Sequence, residues 1–298
     1  MVHFDIVHGC QLRCIGCPNS TILDKVSRIP VDRFARCLDN LDAERIQRFQ
    51  LFNFGEPLLH DDLPQLFEVL RGHRSRIGEI EISTNAQFVR WPQLEAVIAS
   101  RLLDRLVVSC DGDGTAESFE RLRPPARWPV LMEFIERVAE LKHRLHPGLE
   151  LMTRTIVDSR AAITTWRSIL QPMGWRPTFR GWKIMPDAAE NPSGRSFVAG
   201  RGACTFVEPA DSVFIDADGT VVPCCAHPRA GDFGNLQFQK YSKILASQAR
   251  AEFVADMIER REQMSICARC EYGPRGNVGP SGSKNSLPKE RISTLFTL

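Results

Sequence analysis

Lysine is scarce in this chain, at seven residues against thirty-one arginines. With 36 acidic residues the formal net charge is only +2. A balance so close to zero gives no electrostatic footing for nucleic acid or for an anionic membrane surface, so neither is an expected partner. Also missing is any run of eighteen apolar residues, and nothing is expected to span a bilayer. The opening MVHFDIVHGC lacks a basic region followed by an apolar core, so it does not read as a secretory signal. The expected location is the cytoplasm. A reducing compartment disfavours disulfides, and the ten cysteines therefore read as metal or redox chemistry. With 298 residues, 43% hydrophobic and 25% charged, the chain can bury one large core or two smaller ones.

One further absence is more specific. HGCQLRCIGC, residues 8–17, sets Cys10, Cys14 and Cys17 close together with no fourth cysteine. Structural zinc wants a closed tetrahedron of four ligands. Cys14 and Cys17 could find it with Cys267 and Cys270 as two CxxC knuckles, leaving Cys10 aside. A [4Fe–4S] cluster is held by four thiolates when its site is complete. Three thiolates leave one iron open to an outside ligand, as a catalytic centre requires.

Around that loop the chain alternates. Strand-like runs occur at 3–7, 48–54, 79–84, 105–110, 149–157 and 177–184, and helically spaced stretches at 31–41, 63–73 and 134–145 lie between them. Strand–helix alternation predicts parallel βαβ units. Six strands are too few for a closed eight-stranded barrel and suit an open partial one, with chemistry at the C-terminal strand ends. The cysteine loop follows the first strand. NFGEP (53–57), STNA (83–86) and SCDG (109–112) end the next three, so polar and glycine residues gather at one rim.

CxxxCxxC after the first strand of a partial barrel resembles the radical S-adenosylmethionine superfamily. The likeness covers about the first 190 residues. It implies that Cys10, Cys14 and Cys17 hold a [4Fe–4S] cluster whose open iron binds S-adenosylmethionine. It also implies a flavodoxin- or ferredoxin-type electron donor. Gly55, Glu56 and Pro57 would receive the methionyl amino group, largely through backbone oxygens, so that Glu56→Ala is expected to be mild. Ser83, Asn85, Ser109 and Arg154 would contact ribose and carboxylate. Two positions depart from the family pattern: Phe54 replaces the first glycine of a GGEP motif, and Gly16 replaces an aromatic residue before the last cysteine.

The C-terminal third carries a second set of thiols. SVFID and TVVPC flank Ala217-Asp218-Gly219, a hairpin signal that brings Cys204 and Cys224 together, with CARC (267–270) to complete four. On spacing alone these could hold zinc or an iron–sulfur cluster. The arrangement resembles a Twitch domain, the shortened form of SPASM, and so implies one auxiliary [4Fe–4S] cluster on Cys204, Cys224, Cys267 and Cys270. Cys225 is adjacent and could substitute. Cys37 lies in an amphipathic helix and reads as core.

The expected fold is α/β, a partial (β/α)6 TIM-like barrel followed by a small Cys-rich β-hairpin plus helix domain. The expected divisions are 1–195, 196–275 and a flexible tail at 276–298. CIGCPNS, FNFGEPLL, FRGWK and CARC are similar to segments of superfamily members that oxidise aminocyclitols. That likeness implies oxidation of a hydroxylated small molecule, an aminocyclitol or sugar, with Arg180 facing the substrate and the auxiliary cluster accepting an electron. Epimerisation or cross-linking of a ribosomal peptide is the alternative, favoured if Cys110 or Cys225 is placed to donate hydrogen. The chain begins at its first strand without a leader-binding module, which favours the small molecule. A non-catalytic zinc or iron–sulfur module would leave the strand-end pattern unexplained.

Overall fold

A computed structural model describes residues 1–22, 25–200, 202–207 and 211–273. The tail expected at 276–298 lies outside the described residues. Ten strands are present among the described residues: β1 Val2–Phe4, β2 Val7–His8, β3 Ser27–Arg28, β4 Ile46–Gln50, β5 Ile77–Thr84, β6 Arg105–Ser109, β7 Glu150–Ile156, β8 Arg176–Arg180, β9 Val213–Ile215 and β10 Val221–Val222. The helices are α1 Asn19–Ile22, α2 Val31–Asn40, α3 Leu63–Gly72, α4 Trp91–Ala99, α5 Ala116–Leu122, α6 Trp128–Leu145, α7 Arg160–Leu170, α8 Tyr241–Leu245 and α9 Gln248–Glu259. No helix among the described residues is long and apolar enough to cross a membrane.

Strands β1, β4, β5, β6, β7 and β8 pair in that order, every pair parallel. This is the six-stranded partial barrel that the alternation predicts. Its outer layer follows from helical periodicity. Phe34, Cys37 and Leu38 of α2, and Leu63, Leu66, Phe67 and Leu70 of α3, recur at spacings of three and four and are buried against the sheet. In α6 the same spacing buries Leu131, Phe134, Ile135, Val138 and Leu141. Each of these side chains contributes about 1.5–3 kcal/mol by leaving water. Cys37 is fully buried among them, a core residue as its helix implies.

The structure departs from the sequence reading in two places. The first strand does not run through 3–7. It breaks at Asp5, after which Val7–His8 pairs antiparallel with Ser27–Arg28 and closes the base of the cysteine loop. The C-terminal hairpin, moreover, is not a layer apart. Its strand β9 pairs in parallel with β1, Val2 opposite Val213, and β10 pairs antiparallel with β9. One eight-stranded sheet results. The hairpin covers the edge of β1 that an open barrel leaves unpaired.

Candidate functional site

At the C-terminal ends of the strands lies a cavity of about 480 Å³, within the range of small-molecule sites. Cys10, Cys14 and Cys17 line one side, Ser83, Ser109, Arg154 and Arg180 another, and Phe206, Cys225 and Tyr272 of the C-terminal region a third.

Glycine makes the cysteine loop possible. Gly9 has φ +93°, and a Cβ there would lie 2.6 Å from the Lys25 carbonyl oxygen. At Gly55 a Cβ would come within 1.6 Å of the Val7 oxygen. Only glycine lets the GEP loop press against β2, where the Glu56 amide donates to the Gly9 carbonyl at 3.1 Å. The loop is also docked from the far side, Arg13 and Ile15 donating their amides to Pro124 and Leu122.

Asp5, unremarked in the sequence, organises the GEP loop. Its buried carboxylate accepts the amides of Asn53, Phe54 and Gly55 at 2.8–2.9 Å. Burial pushes its pKa up to about 6 against those three hydrogen bonds. A single Asp within an apolar strand was the signal available.

Glu56 also has a part in the fold. Its carboxylate accepts from the Leu58 amide at 3.1 Å, the Thr84 hydroxyl at 2.6 Å and the Asn85 amide at 2.8 Å. The side chain is therefore a brace between the loops after β4 and β5, and Glu56→Ala is not mild for the fold. Three buried donors lose their acceptor, each worth about 1–3 kcal/mol, so a loss of at least about 3 kcal/mol is expected from urea unfolding. Burial raises the Glu56 pKa to about 7. The folded state then holds a proton that the unfolded state has released. Glu56 thus contributes most below its unfolded pKa, and its contribution is lost as pH rises through about 7. The wild-type advantage over the variant should shrink between pH 5 and pH 8.

Asn85 lines the cavity, and its side-chain amide donates to the Cys10 sulfur and to the Gln11 side-chain oxygen, both at 3.3 Å. Pro57 begins a one-turn helix and is buried away from the cavity. Arg123, missed in the sequence, pairs with Asp111, both side chains nearly buried. Burial opposes its charge, yet the neighbouring Cys14 and Asp111 hold its pKa above the ordinary arginine value. It is a fixed cation beside the three thiols. Burial pushes Cys10 to about 12 and Cys17 to about 11, so as free thiols they keep their protons, which metal binding must displace.

The glycine at position 16 has a local cause. A Cβ there would lie 2.8 Å from the Trp182 ring, so the indole of the FRGWK loop occupies the space an aromatic side chain at 16 would need. His3 on the cavity wall stacks on Phe214 at 4.7 Å. Burial, with Arg154 nearby, lowers its pKa to about 3, which makes it neutral and a poor proton acceptor.

The other four thiols sit together elsewhere. Cys204, Cys224, Cys267 and Cys270 line one small cavity with Phe206, Val207 and Met257. Arg261, only 4% exposed, holds that site from behind. Its guanidinium donates to the carbonyls of Cys267 at 3.1 Å, Cys270 and Gly202 at 3.2 Å, and Tyr272. Cys225 points the other way, into the barrel cavity. Cys110 is fully buried and cannot meet a substrate. Because Cys14 and Cys17 line a different cavity from Cys267 and Cys270, the two-knuckle zinc arrangement is not formed.

The donor sets fit iron–sulfur clusters. Among the described residues no three His, Cys, Asp or Glu side chains are placed to hold a single metal ion. Thiols arranged around a space, three in one set and four in the other, suit a cube of irons and sulfides, with one iron free only in the first.

Residues 5–153 match the family model of the radical SAM superfamily, and residues 204–271 match that of SPASM, an iron-sulfur cluster-binding domain. No curated protein matches the chain in sequence. Among solved structures, BtrN in complex with AdoMet and 2-DOIA superposes with a TM-score of 0.57 at 16% identity, covering 96% of each chain. Native anSMEcpe with bound AdoMet gives a TM-score of 0.63 at 15% identity over 91% of this chain and 88% of that one. The same protein with AdoMet and the Cp18Cys peptide gives 0.60 at 15% identity over 91% and 87%. At these identities the likeness is one of fold.

Proposed function

Because the chain belongs to the radical SAM superfamily, we propose that it oxidises a hydroxylated small molecule, an aminocyclitol or sugar, to a ketone. When bound, a [4Fe–4S] cluster with S-adenosylmethionine would supply the hydrogen-abstracting chemistry of the superfamily, and a second cluster would supply an electron acceptor. Cys10, Cys14 and Cys17 would hold the first, and Cys204, Cys224, Cys267 and Cys270 the second. We place the barrel at 1–195 and the auxiliary region at 196–275. A flavodoxin- or ferredoxin-type protein would be the electron donor.

One observation carries this reading: a single cavity touches both thiol regions. The three-cysteine loop and Phe206, Cys225 and Tyr272 of the auxiliary region line it together. A substrate there would lie between the two clusters' residues, as loss of hydrogen at one side and of an electron at the other requires. Arg154 would orient it; the guanidinium is half-buried, tied to Glu81 at 2.6 Å and set over the Phe52 ring at 5.1 Å. Trp182 and Met185 would shield the reacting carbon from water. The BtrN fold, solved with AdoMet and 2-DOIA, supports a small-molecule substrate.

Cys225 favours the second reading, since a thiol in the cavity could return hydrogen to the substrate and leave an epimer. A peptide bound to anSMEcpe keeps a peptide substrate in the same reading. The two reactions separate in deuterated water under anaerobic turnover, read by mass spectrometry. Oxidation yields a product lighter by two hydrogens with no solvent deuterium at the reacting carbon, and Cys225→Ala retains turnover. Deuterium at that carbon, lost together with turnover in Cys225→Ala, would establish epimerisation instead.

A further inference from the structure

The stretch Arg180-Gly181-Trp182-Lys183 of the cavity lining carries positive charge that no ion pair among the described residues neutralises. We propose that this wall, through Arg180 and Lys183, binds an oxyanion of the substrate, a carboxylate or a phosphate, so that the molecule turned over is an acid or phosphate ester of a sugar rather than a free aminocyclitol. The inference rests on the cavity being the substrate site and adds the charge of what enters it.

The acids below the cavity are already committed. Glu81, fully buried on β5, pairs with Arg154 at 2.6 Å, Arg105 at 3.3 Å and Arg48 at 3.7 Å. Glu79 takes Arg48 and Arg105, and Glu150 takes Arg105 and Arg176. Four arginines thus share three carboxylates, with no acid left over. Arg180, the last residue of β8, follows this network on the same face. Arg154 stands opposite Thr178 and Ile156 opposite Arg180 in the parallel register, and Arg154, Ile156 and Arg180 all line the cavity. The two guanidiniums are therefore diagonal neighbours, close enough for long side chains to meet.

Among the described residues, neither the Arg180 side chain nor Lys183 has an ion pair or a hydrogen bond. Cys225, Tyr272 and the cation Arg154 line the same cavity as Arg180. Lys183 lies over the Tyr272 ring at 5.8 Å. Two carboxylates do line the cavity, but both already have partners. Glu56 is held by its three donors, and Asp111 by Arg123 and the Ile156 amide. Glu271, whose carboxylate reaches the residue after Lys183, is itself taken by the Ile184 amide and Arg195, so an anion in the cavity meets two cations without an ion pair among the described residues. Arginine's planar fork suits either a carboxylate or a phosphate.

The test is equilibrium binding to the full chain, anaerobically reconstituted and held with saturating S-adenosylmethionine. Inorganic phosphate and acetate are titrated separately at constant ionic strength by isothermal calorimetry. Saturable binding of one or both is expected, weakened tenfold or more in Arg180→Gln and in Lys183→Gln, and unchanged in Arg176→Gln. The tighter of the two probes identifies the source as phosphate or carboxylate. Three results would overturn the proposal: no saturable site for either anion, binding indifferent to Arg180→Gln, or Arg180→Gln weakening S-adenosylmethionine instead. Formation of 5′-deoxyadenosine under a strong reductant is scored separately. Its absence would count against the radical chemistry, whatever the anion titration shows.

Discussion

Replacing Cys10, Cys14 and Cys17 together by alanine is expected to abolish 5′-deoxyadenosine formation while leaving the C-terminal cluster in place. Iron should fall from about eight to about four per chain, one cubane of four remaining. The geometry argues for this selectivity. The three thiols line the barrel cavity, whereas Cys204, Cys224, Cys267 and Cys270 line a separate one. The loop should survive the change, because its shape depends on Gly9, on the docking of Arg13 and Ile15, and on the GEP loop braced by Asp5 and Glu56. Iron analysis, absorbance and chromatography of the S-adenosylmethionine products read the outcome. A triple variant that still cleaved S-adenosylmethionine would show that the cluster is held elsewhere.

The second large effect concerns the four-thiol site. A Cys267→Ala/Cys270→Ala variant should still form 5′-deoxyadenosine but lose most of its ketone product. Oxidising an alcohol removes two electrons and two protons. Hydrogen abstraction accounts for one of each, and the second electron needs an acceptor near the substrate. Loss of ligands also removes folding energy, so absorbance of the first cluster must be retained for the result to count. Arg261→Met provides the control that touches no thiol. It strips donors from the carbonyls of Gly202, Cys267, Cys270 and Tyr272 and should shed the auxiliary iron first. Full ketone yield from a folded variant without that iron would rule out the acceptor role.

The amino-acid sequence alone determined the features that repeat or that chemistry restricts to few residue types. Six strands and three of the helices between them announce themselves by periods of two and of 3.6, because one face of each element must leave water. Thiolates bind metal by identity and spacing, so CxxxCxxC and CARC were legible without coordinates. Tertiary structure decided what depends on distant partners. Asp5 and Arg261 are ordinary letters in the chain, and only folding brings three amides to one and four carbonyls to the other. The choice between Cys224 and Cys225 is likewise a matter of which way adjacent side chains point, one into the four-thiol pocket and one into the barrel. Gly16 looked like a missing aromatic residue until Trp182, 166 positions later, was found filling its space. Such pairings are set by packing across the whole sheet, and local sequence carries no record of them.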